Sequence, residues 1–100
     1  MAAILRPEAT PDDFSRRAEG FLPGWFGMRV TAITPGRLEM ELPIKREMLA
    51  PNGFLHAASV VALADTAAGF ATIAHLPEGS ESFTTIELKT NFFSTQREGT

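Results

Sequence analysis

The stretch Ala57–Ala74 constrains this chain more than any other part of it. Its 18 residues hold eight alanines with leucine, valine, phenylalanine and isoleucine, and one charged side chain, Asp65, at the middle. Such a composition predicts a helix that is apolar nearly all round, the kind that protein normally wraps on most sides. The charge at its centre argues against a membrane span. The fold is therefore a problem of covering: other elements must supply enough apolar surface to bury this helix.

The remaining sequence supplies little sheet for that purpose. Thr10-Pro11-Asp12-Asp13 is a helix start, with a hydroxyl cap, proline at the first helical position and two acids at the positive end. That helix is expected from Pro11 to about Glu19, stopping at Gly20 and preceded by a loose arm over the first ten residues. Phe21–Gly27 reads as an aromatic, turn-rich link that packs on something. Met28–Thr34 and Arg37–Ile44 read as two strands joined at Pro35-Gly36. In the second, Leu38, Met40 and Leu42 alternate with Arg37, Glu39 and Glu41, so one face is buried and one wet. Lys45–Leu55 is a loop. Beyond a turn at Leu76–Ser80, Phe83–Phe93 reads as a strand with Thr84, Ile86, Leu88, Thr90 and Phe92 on one face, and Thr85, Glu87, Lys89, Asn91 and Phe93 on the other. Two strands, an apolar helix and one further strand leave the helix undercovered. The missing surface comes from a second copy of the chain, from residues beyond a truncation, or from both.

Composition narrows the class. One hundred residues, 44% hydrophobic and 21% charged, make one small soluble domain. With no cysteine there is no disulfide framework, thiolate metal site or cysteine nucleophile, and the cytoplasm is the default compartment. A net charge of −3 without a basic cluster argues against a nucleic-acid partner. The N-terminus lacks the pattern of a signal peptide. Two distant histidines do not make a zinc site, and no phosphate-cradling glycine loop or nucleophile elbow occurs.

Asp65 is the sharpest candidate for chemistry. Its neighbours three and four residues away are Val61, Ala62, Ala68 and Gly69, so no cation on its own helix pairs with it. A carboxylate buried without a partner is costly and is a candidate general base or nucleophile. The competing reading is an aspartate on a thin exposed stripe or one bonded to nearby backbone. His56 immediately precedes the helix, where the free N–H groups of Ala57 and Ala58 and the positive end of the dipole polarise a carbonyl oxygen. Equally, it is a helix cap. Asn52, before Gly53, reads first as a turn residue. Thr85 reads first as an ordinary strand residue. His75 reads as a structural residue at a helix C-terminus, where a cation is favoured. Glu87 and Lys89 read as a solvated or interface strand face.

Three segments together resemble a known family: Asn52-Gly53-Phe54-Leu55-His56-Ala57-Ala58, Val61–Ala67 around Asp65, and Thr84–Phe92. They are similar to hotdog-fold acyl-CoA thioesterases, nearest the PaaI-like and 4-hydroxybenzoyl-CoA thioesterase group. The likeness covers roughly residues 21–100. It implies an α+β hotdog fold, in which a long central helix is wrapped by an antiparallel sheet. Residues 1–20 then form an arm and short helix before the hotdog domain 21–100, whose last strands are absent. It also implies a homodimer or homotetramer with active sites at the dimer interface and no cofactor.

By the same resemblance, Asp65 matches the catalytic carboxylate and His56 the histidine of a His-Gly-Gly signature. The N–H of Ala57 or Ala58 matches the donor to the thioester carbonyl. Thr85 falls near a water-orienting hydroxyl, and Asn52 and Gly53 lie on the substrate side. Two local departures stand out: the signature reads His56-Ala57-Ala58, and Ala50 stands six residues before the histidine where many members carry an amide. The implied activity is hydrolysis of an acyl- or aryl-CoA thioester to free acid and coenzyme A. The alternatives are a hydratase acting on acyl thioesters, a non-catalytic acyl-thioester-binding or assembly module, and an inactive truncated fragment.

Overall fold

Thr10 starts the first helix as its hydroxyl implies: its Oγ1 accepts from the Asp13 N–H at 3.2 Å, with Pro11 in the first turn. In the computed structural model, which describes residues 4–100, this helix is α1 (Pro11–Ala18). It is followed by α2 (Leu22–Phe26), β1 (Arg29–Thr34), β2 (Arg37–Glu41), a 3-10 turn (Arg46–Met48) and α3 (Ala57–Ala74). Acids at the start of α1 and Arg16 and Arg17 at its end match the helix dipole. Its inner face buries Phe14 and Ala18.

Two expectations about the N-terminal part need correction. Positions 1–3 of the expected loose arm lie outside the described residues, but its remainder is held in place. The Arg6 N–H donates to the Ala74 carbonyl at 2.9 Å, and its guanidinium donates to the carbonyls of Leu76, Pro77 and Ser80. The Arg6 N–H thus satisfies a carbonyl of the last turn of α3, which the helix cannot pair internally, and its cation binds the carbonyls of the turn that follows. Ala9 is buried beside Phe14. The expected link Phe21–Gly27 contains the one-turn helix α2, compatible with Pro23 because proline is tolerated in a first turn. Only Phe26 joins the core from this segment; Phe21, Leu22 and Trp25 stay exposed.

β1 and β2 pair antiparallel, Arg29 opposite Glu41 and Thr34 opposite Arg37, with a bulge between Val30 and Ala32. The ladder ends at Glu41, short of the expected Ile44, because the Ile44 N–H donates to the Gly99 carbonyl at 2.8 Å instead of to β1. Leu38, Met40 and Leu42 all turn inward, as the alternation predicts.

The inner face of the hairpin holds α3 through two clusters. Near the helix C-terminus, Phe70, Ile73 and Ala74 pack with Phe14, Val30 and Ile33, and the Phe14 and Phe70 rings lie 5.1 Å apart. Near the N-terminus, Ala62 and Leu63 pack with Met28, Leu42 and Met48. His75 ties the two layers together. Its Nε2 accepts the Gly36 N–H at 2.9 Å, so Nδ1 carries the proton and donates to the Ala71 carbonyl at 2.8 Å. The residue is structural, as expected, but it acts as a neutral bridge and not as a cation.

The hairpin leaves much of α3 uncovered: only Ser59, Gly69 and Ala74 of the helix are buried. A strand pair of six and five residues cannot enclose a helix about 27 Å long. The expected strand Phe83–Phe93 forms no ladder among the described residues. Among the described residues the only ladder joins β1 to β2, and the outer edge of neither strand pairs with this segment. The segment instead lies along α3, with Ile86 and Phe93 more than nine-tenths exposed, at 95% and 93%.

Because Phe14 is the largest fully buried side chain, Phe14→Ala is expected to cost about 3–5 kcal/mol in urea unfolding. Trp25→Ala, at an exposed aromatic, is expected to change stability by no more than about 0.5 kcal/mol. Similar losses for the two variants would contradict this assignment of the core.

Candidate active site

The start of α3 is built by three hydrogen bonds, two of them to the preceding turn. The Met48 carbonyl accepts from the His56 N–H at 3.0 Å and from the buried Ser59 Oγ at 2.9 Å. His56 Nδ1 accepts the Ala58 N–H at 2.9 Å, which makes His56 the N-cap. As an acceptor, Nδ1 carries no proton, and Nε2–H is the free donor of the neutral ring. Ser59 shows no signal in the sequence pattern, because a serine inside an alanine-rich helix reads as filler until its partner is known.

This cap separates the two candidate donors. The Ala58 N–H is committed to His56. The Ala57 N–H makes no hydrogen bond among the described residues, so it remains an oriented donor at the positive end of an 18-residue helix.

Asn52 takes the turn role. Its Oδ1 accepts the Phe54 N–H at 3.1 Å, closing an Asx turn in which Gly53 adopts φ 87°, a left-handed conformation that favours glycine. The turn shapes one wall of an open groove of about 760 Å³, whose lining includes Asn52, His56, Ala57, Val60, Phe92 and Gln96. The far wall is held by main-chain pairing: the Leu55 N–H donates to the Gln96 carbonyl at 2.9 Å. At the rim, the Arg97 guanidinium stacks 4.5 Å over the Phe54 ring. Arg97 gives no signal in the sequence, because its aromatic partner lies 43 positions away.

Asp65 and Thr85 form a second, separate group. The Thr85 Oγ1–H donates to Asp65 Oδ1 at 2.8 Å. Asp65 is half-buried, not buried, because the segment over it is one unpaired stretch of chain and not a full sheet. As the sequence implies, no cation pairs with it among the described residues. Thr85 holds one carboxylate oxygen, and Oδ2 is free to accept a proton. Among the described residues no three of His, Asp and Glu gather as a metal site.

The structure thus brings Asn52, His56 and Ala57 together on the groove wall, leaves Gly53 and Ala58 outside its lining, and puts Asp65 with Thr85 elsewhere. Nine residues of helix put His56 and Asp65 about 13 Å apart along the axis and on opposite sides of it. A base and a carbonyl-polarising donor acting on one ester must lie within a few ångströms of the same carbon. Within one chain these two groups do not meet.

Comparison with known proteins gives this arrangement its context. The model of the Thioesterase superfamily matches residues 52–100, the segment that carries the groove, Asp65 and Thr85. A mutant of thioesterase PA1618 from Pseudomonas aeruginosa superposes with a TM-score of 0.89 at 20% identity, over 97% of this chain and 70% of that one. Thioesterase HI1161 from Haemophilus influenzae gives 0.83 at 23% identity, over 90% of this chain and 62% of that one. The chain has the hotdog fold of these structures. No curated protein sequence matches it. The resemblance of the three segments to hotdog-fold thioesterases is borne out at that level, and in this hotdog chain α3 is the central helix and the β1–β2 hairpin part of its wrapping sheet.

Removing the N-cap acceptor in His56→Ala is expected to destabilise the chain by about 1 kcal/mol, with His56→Asn largely retaining stability. Urea titration of the three proteins tests this; equal stability of all three would remove His56 from the cap.

Proposed function

We propose that the chain hydrolyses acyl- or aryl-CoA thioesters to the free acid and coenzyme A, as a cytoplasmic homodimer or homotetramer of the PaaI-like group, without metal or redox cofactor. The observation that carries this reading is Asp65: a mid-helix carboxylate without a cation among the described residues, one oxygen held by Thr85 and the other available as a base.

The thioester lies in the groove with its carbonyl oxygen on the Ala57 N–H, at the helix N-terminus. Donation there stabilises the oxyanion as it forms, an effect worth about 10²–10³ in rate. His56, through Nε2–H, is a second donor beside it. Asp65 comes from a second copy of the chain, because in its own chain it lies on the wrong side of the helix. Its Oδ2 takes a proton from water as the water oxygen bonds to the acyl carbon, and the Thr85 hydroxyl oxygen orients that water. The tetrahedral intermediate expels the sulfur by breaking the C–S bond. The thiolate recovers the proton from Asp65, so water and thioester become acid and thiol. A positioned base of this kind supplies about 10²–10⁴. Asn52 and Gly53 form the turn that shapes the groove wall.

A second reading has one observation in its favour. The methyl groups of Ala57 and Ala58 stand where the family signature has glycines, narrowing the approach to the Ala57 N–H, as suits a module that binds a thioester without cleaving it. Asp65→Asn separates the two readings. For the enzyme, CoA release from a panel of acyl- and aryl-CoAs falls by about 10²-fold or more. For the binding module, the unmodified chain releases no CoA while retaining thioester binding by calorimetry.

A site shared between chains makes a further testable demand. Asp65→Asn and His56→Ala chains, each inactive alone, are expected to regain about a quarter of the unmodified activity when co-refolded, since one of the two sites in each mixed dimer is intact. Absence of recovery in verified mixed dimers would place the whole site in one chain.

A further inference from the structure

Asp65 and Thr85 meet only if the segment carrying Thr85 lies at one particular register along α3, and the backbone does not set that register. Among the described residues, no main-chain hydrogen bond joins residues 81–93 to any other element. Some other contact must therefore fix where this segment sits.

Gly69 supplies it. Glycine in the interior of an alanine-rich helix is a cost to helix formation, so its presence calls for a reason. The reason is Phe83: a Cβ at Gly69 would stand 2.6 Å from Phe83 Cζ and 3.4 Å from both Cε atoms. Those distances describe a ring meeting the helix backbone tip-first, with no room for even a methyl group between them. Gly69 is buried beneath it.

The spacing links this contact to the catalytic pair. Gly69 lies four residues after Asp65, on the same flank of α3 and about 6 Å further along the axis. Phe83 lies two residues before Thr85, and two residues of extended chain span about 6.6 Å on one face. A slip of one residue would turn Thr85 away from the helix. A slip of two would bring Glu87 or Phe83 to Asp65, setting a second carboxylate or a benzene ring where the hydroxyl belongs. The ring on Gly69 and the hydroxyl on Asp65 are two pins at matching intervals.

We propose that Gly69 and Phe83 are positioning residues: the Phe83 ring seated on Gly69 sets the register that delivers the Thr85 hydroxyl to Asp65. The functional consequence rests on the reading of Asp65 and Thr85 as the catalytic pair; the structural claim does not.

The test is built on Gly69→Ala, which adds one methyl group and improves helix propensity. In CoA release it is expected to lower kcat by about ten- to a hundredfold, the scale for misplacing a reacting group by an ångström, with KM within about twofold. Cooperative unfolding is expected to persist. Phe83→Leu placed on Gly69→Ala gives a side chain short enough to seat on the added methyl group, and is expected to recover at least several-fold of the lost kcat. A folded Gly69→Ala with unmodified kcat, or a double variant with no recovery, overturns the proposal.

A readout independent of turnover keeps this distinct from failure of the enzyme reading. In the unmodified protein, nuclear Overhauser effects are expected between Phe83 Hζ and Gly69 Hα and between the Thr85 methyl and Asp65 Hβ. Gly69→Ala is expected to abolish the second. If the chain releases no CoA at all, the proposed activity fails, yet loss of that Thr85–Asp65 signal still supports the register claim. Its persistence in Gly69→Ala overturns it.

Discussion

The docking of α3 on the inner face of the β1–β2 hairpin is the interaction on which the rest of the molecule depends. An alanine-rich helix gains little from side-chain area at any one position, so its burial relies on a few larger groups at its ends. Phe70 and Ile73 meet Phe14 and Val30 at one end, and Leu63 meets Met28, Leu42 and Met48 at the other. These contacts set the direction of the helix. The polar ties then hold its termini in place: the Met48 carbonyl and the His56 cap at the start, Arg6 and His75 at the finish. Each satisfies backbone groups that a helix end leaves unpaired, and each comes from a different part of the chain.

That docking also creates the chemistry. Because the hairpin covers one flank of α3, the opposite flank is left for the segment carrying Thr85, and the N-terminus is left open to the groove. Two features wait at separate places on the same helix: an oriented donor at Ala57 and, at Asp65, a carboxylate with no cation beside it among the described residues. One turn of separation would make a site within a single chain; nine residues from His56 do not. Ile86, the most exposed apolar residue of the 83–93 segment, directly follows Thr85 at that carboxylate flank, whereas Phe93 lines the groove. An undercovered helix, a carboxylate without its carbonyl and an unpaired strand-like segment are three expressions of one shortage of sheet.

Much of this was legible in the sequence for physical reasons. The hydroxyl–proline–acid start of α1, the Pro-Gly turn of the hairpin, the alternation of Leu38, Met40 and Leu42, and the bounds of α3 all follow from local backbone preference and periodicity. Asp65 stood out because the residues three and four away are set by helix geometry alone. Other features were not legible. The arm around Arg6 reads as loose because nothing local shows that its partners are carbonyls some 70 residues away. Phe83–Phe93 has every local mark of a strand, yet a strand is completed by a neighbour, which no local preference supplies. Arg97 on Phe54 and Ser59 on Met48 are pairings that only folding brings together.

The sequence by itself determined which segments are helical, which face of the hairpin is apolar, and that Asp65 has no cation on its own helix, since each depends on interactions within a few residues. Tertiary structure alone decided three things. Of the two N–H groups after His56, the one at Ala57 stays free among the described residues. Asp65 has Thr85 as its partner. The groove and the carboxylate lie on opposite sides of one helix. Each of these is a matter of distance between groups far apart in the chain, and such distances exist only once α3 has been docked.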